Sequence, residues 1–126
     1  MVPFPDYTYE ATVVSVHDGD TCTLDLALGF WVTARMSCRL AGFNCIELAD
    51  PGGREAGEHL AGLIPPGSPV TVRSVKPDKY AGRFDGVIYN LVGTNVNEQM
   101  ITDGYAAPWA GSGPRPLPPW PIPPAS

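Results

Sequence analysis

Acidic side chains crowd a short stretch, His17-Asp18-Gly19-Asp20-Thr21, set between two runs of alternating apolar residues at 9–16 and 21–26. Two strands joined through Asp-Gly read as a β-hairpin, with Gly19 expected to supply the positive φ of a tight turn. Asp and Gly favour turns for conformational reasons alone, so the pentapeptide by itself is accounted for as a turn. A second stretch, Arg39-Leu40-Ala41-Gly42-Phe43-Asn44-Cys45-Ile46-Glu47, adds an arginine, an amide and a carboxylate. Brought beside Asp18 and Asp20, these groups would have a definite chemistry. Hard oxygen donors suit a divalent cation, a guanidinium fork suits a phosphate, and a carboxylate can take a proton from water.

The elements that must position them follow from periodicity. Residues 7–16 alternate as a first strand, and residues 21–28 as a second with Cys22, Leu24, Leu26 and Leu28 on one side. Gly29 turns the chain into a third strand over 31–40. A helix follows, with Asp50 as cap and Pro51 as first residue, because proline is tolerated where the amide has no helical partner. Ala56, Leu60, Leu63 and Ile64 recur at helical spacing, and Pro65-Pro66-Gly67 ends the run. Gly53, Gly57 and Gly62 weaken this helix, each by about 1 kcal/mol inside it. Residues 70–75 form a fourth strand, 77–83 a loop and 84–92 a fifth strand. A short helix follows, capped by Asn95 with Glu98 in the capping-box position and closed by Gly104. The order β-β-β-α-β-β-α is that of a five-stranded OB-type Greek-key barrel. The expected fold is therefore a β-rich α+β domain, residues 1–110, with two helices packed on the barrel.

Residues 111–126 form a proline-rich tail that suits extended polyproline II and neither helix nor central strand. It is a plain terminus, or a ligand for a protein partner with an aromatic groove, or a strap that folds Trp120 back on the domain. The 126 residues carry 13 acids against 8 bases, a formal charge of −5, which argues against holding a polyanion by bulk electrostatics. A nucleic acid would have to be handled locally, by a few arginines and a bound cation. No apolar run is long enough to span a membrane, and Met1-Val2-Pro3-Phe4-Pro5-Asp6 lacks the features of a secretory signal. A cytoplasmic monomer is expected. Cys22, Cys38 and Cys45 lack the spacing of a zinc site. They read as small core residues, although Cys22 and Cys38 face each other if their strands pair.

The motifs also form an ordered set. Asp18-Gly19-Asp20-Thr21 leads to Arg39-Leu40 and Asn44-Cys45-Ile46-Glu47, then to Arg54-Glu55-Ala56 and Asp78-Lys79-Tyr80-Ala81-Gly82-Arg83. Val96-Asn97-Glu98 and Gly104-Tyr105-Ala106 complete it. In this order and spacing the chain resembles the staphylococcal nuclease-like (thermonuclease) family, over residues 9–109. The resemblance implies a calcium-dependent phosphodiesterase that hydrolyses DNA, and by extension RNA, with little sequence preference. By position, Asp20 resembles the first metal carboxylate, Asn44 stands where the family has a second aspartate, and Cys45 offers its carbonyl. Glu47 matches the glutamate that activates water, Arg39 and Arg83 match the phosphate clamp, and Lys79 and Tyr80 match nucleotide contacts. Asp18 and Thr21 would support the metal site from behind.

Departures from the pattern bear on activity. Asn44 removes a negative charge from the metal site, Ile46 replaces a proline that stiffens the loop before Glu47, and Ala81 lengthens the 79–83 loop. A nuclease-like barrel with weak catalysis, kept as a nucleic-acid or protein binding module, is the alternative these departures support. Each residue also has an ordinary structural role open to it. Arg39 can be a surface residue, Glu47 a cap, and Arg83 a partner of Asp78 or Asp85. Lys79 and Tyr80 can be solvated, and His17 and His59 have no metal-ligand partner at suitable spacing.

Overall fold

Alternating side chains on five strands close into a barrel whose inside is filled by one face of each strand. The strands are β1 (Thr8–Asp18), β2 (Thr21–Ala27), β3 (Thr33–Leu40), β5 (Pro69–Pro77) and β6 (Arg83–Tyr89). The structure, a computed structural model, describes residues 7–45 and 50–109. Around the barrel the order is β1-β2-β3-β6-β5, antiparallel except for the β3·β6 pair, and β5 closes onto β1. Between β3 and β5 run β4 (Phe43–Cys45) and α1 (Gly53–Leu63); after β6 come α2 (Val96–Thr102) and β7 (Ala106–Pro108), which pairs with β4. The result is a β-rich α+β fold: a closed, mixed five-stranded barrel with two helices. The small β4·β7 sheet is not legible as a pair in the sequence, since neither three-residue strand has room to show a period. No helix among the described residues is long and apolar enough to cross a membrane.

The core is continuous from barrel to helices. Val13, Leu24, Leu40, Val72 and Ile88 from the barrel meet Leu60 of α1, Ile64 at its C-cap, Met100 of α2, and Phe43 of β4, all fully buried. Each such side chain contributes about 1.5–3 kcal/mol through removal from water. Cys22 and Cys38 are directly paired across β2 and β3, buried and unbridged, as small core residues. The Cys22 hydrogen bond and burial raise the Cys38 thiol far above its ordinary range, which keeps it protonated.

Several elements differ from expectation for local reasons. Leu28 lies beyond the end of β2 and is 41% exposed, because the strand stops at Ala27 and Leu28 opens the turn. The fifth strand ends at Tyr89 rather than at residue 92. There the Asn90 side chain accepts from the amides of Val92 and Thr94, at 3.2 and 3.0 Å, and folds the chain into a loop. Helix α1 starts after Gly52 at φ 92°, with no side-chain cap; Asp50 and Pro51 lie in the preceding turn, where the Asp50 carbonyl accepts from Gly53. The expected cap on α2 is present, with the Asn95 side chain accepting from Glu98 N.

Gly19 is needed for space and not for φ. Its φ is not positive, and a Cβ there would lie 2.2 Å from Cys45 Sγ and 2.9 Å from Ala56 Cβ. Gly57 of α1 in turn approaches Asp18, its would-be Cβ standing 3.2 Å from the Asp18 Cα. Small residues thus let α1 press onto the β1–β2 turn and fix the aspartates it carries. Asn97 performs a similar service from α2. Buried, it accepts from Ile88 N at 3.0 Å and donates to the carbonyls of Ala41 and Gly86 at 2.9 and 3.0 Å. It joins the end of β3, the middle of β6 and α2 in one polar knot.

The β2–β3 hairpin holds two of the three non-glycine residues that take positive φ among the described residues. Gly29, Phe30 and Trp31 take φ of 84°, 55° and 59°, and Val32 N bonds to the Gly29 carbonyl at 2.9 Å. Positive φ at both central positions is the pattern that Asn-Gly ordinarily fills; two aromatic residues there cost about 1–3 kcal/mol each.

Two substitutions test this packing. Asn97→Ala takes the Asn97 partner from the Ile88 amide and the Ala41 carbonyl, while the Gly86 carbonyl keeps the Ala41 amide, and lowers unfolding free energy by about 1–3 kcal/mol, read by urea denaturation. Gly19→Ala costs about 1–3 kcal/mol through overpacking, and Cys45→Ala in the same chain recovers part of that loss; equal losses in single and double variants would contradict the contact.

Candidate phosphate-binding groove

Strand register brings the first hairpin and the end of β3 together. Thr21 pairs with Arg39, Arg39 pairs with Asp85 on β6, and Asp85 pairs with Lys76 on β5. Residues of alternating sign therefore run across the barrel wall: Asp20, Arg39, Asp85, Lys76. The loop between β5 and β6 adds Asp78, Lys79 and Tyr80, and Arg83 opens β6. Together with Trp109 these residues line a groove of about 730 Å³. Four of the chain's eight Lys and Arg residues stand here, against three aspartates, so the groove is locally positive on an acidic chain. That is the local concentration of cations that the composition requires of any polyanion site. A second groove of about 570 Å³, along Glu10, Asp25 and Asn90, has no basic residue in its lining and offers a phosphate nothing.

On the hairpin side, the Asp18 carboxylate accepts from Asp20 N at 3.1 Å, and Thr21 Oγ1 donates to Asp20 Oδ1 at 2.9 Å. Leu40 N donates to the Asp20 carbonyl at 2.7 Å, so the turn is tied to the end of β3. Burial, then the hydrogen bond and charge of Asp20, push the Asp18 carboxyl up to about 6, against the Asp20 amide and the His17 charge. Arg39 points its Nη2 at the Phe43 carbonyl (3.3 Å) and at Asp20 Oδ2 (3.9 Å), with its guanidinium carbon 5.9 Å from the centre of the Trp109 ring.

On the loop side, Arg83 Nη2 lies 3.0 Å from Asp78 Oδ1, and its guanidinium carbon lies 4.6 Å from the Tyr80 ring centre. Its Nε is buried with no hydrogen-bond partner among the described residues, a donor still available in a planar fork. Asp78 also accepts from Tyr80 N at 3.0 Å, which shapes the loop, and Lys79 Nζ stands 5.3 Å from the Tyr80 ring centre. Burial alone would raise Asp78, yet hydrogen bonds from Asp85, the Tyr80 amide and Arg83, with the Arg83 charge, hold it down at about 2. Asp85 moves the other way, to about 6, through burial and the proton it shares with Asp78, with Arg39 and Lys76 opposing.

The expected site residues thus fall into three groups. Asp20, Arg39, Lys79, Tyr80 and Arg83 line one groove, with Asp18 and Thr21 directly behind Asp20. Asn44 and Cys45 are buried in β4 and do not line it; the Cys45 thiol donates to the Tyr105 carbonyl at 3.4 Å. Glu47 and Ile46 lie outside the described residues, as does the tail. Lys76, Asp85 and Trp109 enter the groove without having been singled out. Asp85 was within reach of a period-two argument, being two residues from Arg83 on the same strand. Trp109 was not, because its place follows from the β4·β7 pair, where its amide donates to the Gly42 carbonyl. Of the histidines, His59 pairs with Asp103 and stacks on Tyr105, an attachment between helix and loop.

As a cation donor set, Asp20 suits a hard divalent ion, since its carboxylate is oriented by Thr21 and a cation there would relieve its repulsion with Asp18. Among the described residues no three His, Cys, Asp or Glu side chains come together as a metal-binding group. Binding at Asp20 would lean on amide, carbonyl and water oxygens, and such low ligand charge gives weak affinity.

Asp85 yields a pH prediction. Between about pH 4 and 6 the folded chain keeps the Asp85 proton that the unfolded chain has lost, so its contribution to stability falls as pH rises through that window. Above it the ionised group is a standing penalty. Asp85→Asn removes it and stabilises the protein by about 1–2 kcal/mol at pH 7 after screening by solvent in the groove, with little gain at pH 4. Urea titrations at the two pH values check this; an equal gain at both would refute it.

No protein-family model matches the chain, and no curated protein matches it significantly.

Proposed function

We propose that this chain is a metal-dependent phosphodiesterase of the thermonuclease type, acting on DNA and, through the same backbone contacts, on RNA. The observation that carries the reading is the convergence of two guanidinium groups, Arg39 and Arg83, on one groove that also presents the Asp20 carboxylate. The barrel order β1-β2-β3-β6-β5, with its single parallel pair, supports an OB-type Greek-key assignment.

A phosphodiester seated in the groove exchanges Asp78 for its own oxygens at Arg83 and draws Arg39 from the Phe43 carbonyl. Two planar forks then hold the phosphate and offset the charge of a five-coordinate phosphorus. Tyr80 and Trp109 flank the guanidinium groups and keep their planes fixed while offering surfaces for a base or sugar. Glu47 takes the proton of the attacking water, and the leaving oxygen is the 5′ one. A calcium ion would be held at Asp20, whose carboxylate Thr21 orients, and would supply charge neutralisation and polarisation of the P–O bonds; Asn44 and Cys45, buried in β4 outside the groove, do not complete its shell.

A second reading has a specific observation behind it. Arg83 is already paired with Asp78, and Asn44 is turned into the β4·β7 pair, as suits a binding module with little catalysis. It requires retention of single-stranded DNA with no cleavage under any divalent metal.

The deciding experiment incubates the purified chain with single-stranded DNA in calcium and then in chelator. Cleavage is expected only with metal, and Arg83→Ala is expected to lower it by about 10²–10³ while the circular dichroism spectrum is unchanged. Cleavage that persists in chelator, or that survives both Arg83→Ala and Glu47→Ala, would sink the proposal.

A further inference from the structure

We infer that Asp85 is a positioning residue of the groove, the group that keeps Asp78 bonded when Arg83 turns to a phosphate. Its carboxyl does this only while neutral, so ionisation of Asp85 closes the groove to polyanions. The inference rests on the reading of the groove as a phosphodiester site and adds a proton to what that site must hold.

Charged side chains flank Asp85 on every neighbouring element. Its register partners are Arg39 on β3 and Lys76 on β5, and Lys76 Nζ lies 3.9 Å from its Oδ2. Arg83 precedes it by two residues on β6, so the two side chains share a face of the strand. The Asp78 carboxyl, from the β5–β6 loop, is within hydrogen-bond reach. On β3 the Cys38 thiol also feels its charge and stays protonated.

Burial makes this carboxyl pair consequential. The side chains of Asp78 and Asp85 are only 6% and 10% exposed, and Asp85 Oδ1 is buried with no hydrogen-bond donor among the described residues. Two ionised carboxylates are both acceptors and cannot bond to each other, so their contact needs one proton. Asp85 is the member that holds it, in keeping with the opposite displacements of the two groups, Asp78 to about 2 and Asp85 to about 6.

The proton matters to Arg83, whose Nη2 lies 3.0 Å from Asp78 Oδ1. When the guanidinium turns to a phosphate, a neutral Asp85 still donates to Asp78, as does Tyr80 N at 3.0 Å, so Asp78 is not stranded. An ionised Asp85 has no proton to give and repels Asp78. Both carboxylates then draw on Arg83, Arg39 and Lys76, the cations a phosphate needs. Losing the proton also sets three carboxylates, in place of two, against the four cations of the groove. Phosphate binding and Asp85 ionisation therefore oppose one another, and by linkage a phosphodiester bound near neutral pH brings a proton in with it.

Fluorescence anisotropy of a labelled oligothymidylate, in chelator and at constant ionic strength, tests this, because phosphodiesters and thymine keep their charge between pH 5 and pH 8. The wild-type chain is expected to bind about tenfold more tightly at pH 5 than at pH 8. Proton uptake at pH 7 is expected to appear as a binding heat that changes with the buffer. Asp85→Asn, uncharged and still a donor, is expected to keep the pH 5 affinity at both values and to take up no proton. Asp85→Ala, uncharged and no donor, is expected to be as insensitive to pH but several-fold weaker; circular dichroism keeps a folding defect apart from a binding one. A wild-type affinity that ignores pH, a pH dependence that survives in Asp85→Asn and so belongs to groups such as Asp18, or equal binding by the Asn and Ala variants each overturns the inference. All three leave metal-dependent cleavage, and with it the phosphodiesterase reading, intact. No binding at either pH also overturns the inference, and the cleavage assay then judges that reading separately.

Discussion

The arrangement of charged side chains on this barrel depends on the parallel hydrogen bonds between β3 and β6. The two strands lie far apart in sequence, and their register sets Ser37 against Arg83 and Arg39 against Asp85. A shift of one residue would turn either arginine from the outer wall into the core, since side chains alternate faces. Asn97 holds the register from below by bonding to β6 and to the carbonyl just past β3. Parallel pairs cannot be made locally, so this contact is bought with the loop entropy of everything between the strands. The short strand β4, the helix α1 and β5 occupy that interval and are packed into the same core.

Electrostatics in the groove then follow from crowding. Three aspartates stand among four cations, and each guanidinium already has an oxygen partner: the Phe43 carbonyl and Asp20 for Arg39, Asp78 for Arg83. The guanidinium groups therefore stand already paired, and the phosphate exchange proposed for them would trade one acceptor for another. Such pre-pairing holds the forks in place, which favours orientation over raw affinity. Asp18 and Asp85 bear the cost, each a carboxylate lifted to about 6 by burial and a neighbouring acid.

The strained hairpin stands at the start of β3, with Arg39 near the other end. Its aromatic tip and the charged groove share no residue, and the two features answer different physical problems. The groove balances charge at modest exposure. The hairpin exposes apolar area on a backbone conformation that aromatic residues resist, and it borders an apolar cavity.

By itself the sequence determined the five barrel strands, both helices, the cap at Asn95 and the burial of the cysteines, because each rests on a period or a residue preference within a short window. It also held the ordered motifs that single out Asp20, Arg39 and Arg83. Tertiary structure decided the rest. Gly19 is required by the approach of Cys45 and Ala56 from distant segments, not by its own φ. Asp85, Lys76 and Trp109 join the groove because register and the β4·β7 pair put them there, and Asn44 and Cys45 are withdrawn from it for the same reason. Local preference is written in a few neighbouring residues, whereas which distant side chains meet is fixed only when strands pair and the core closes.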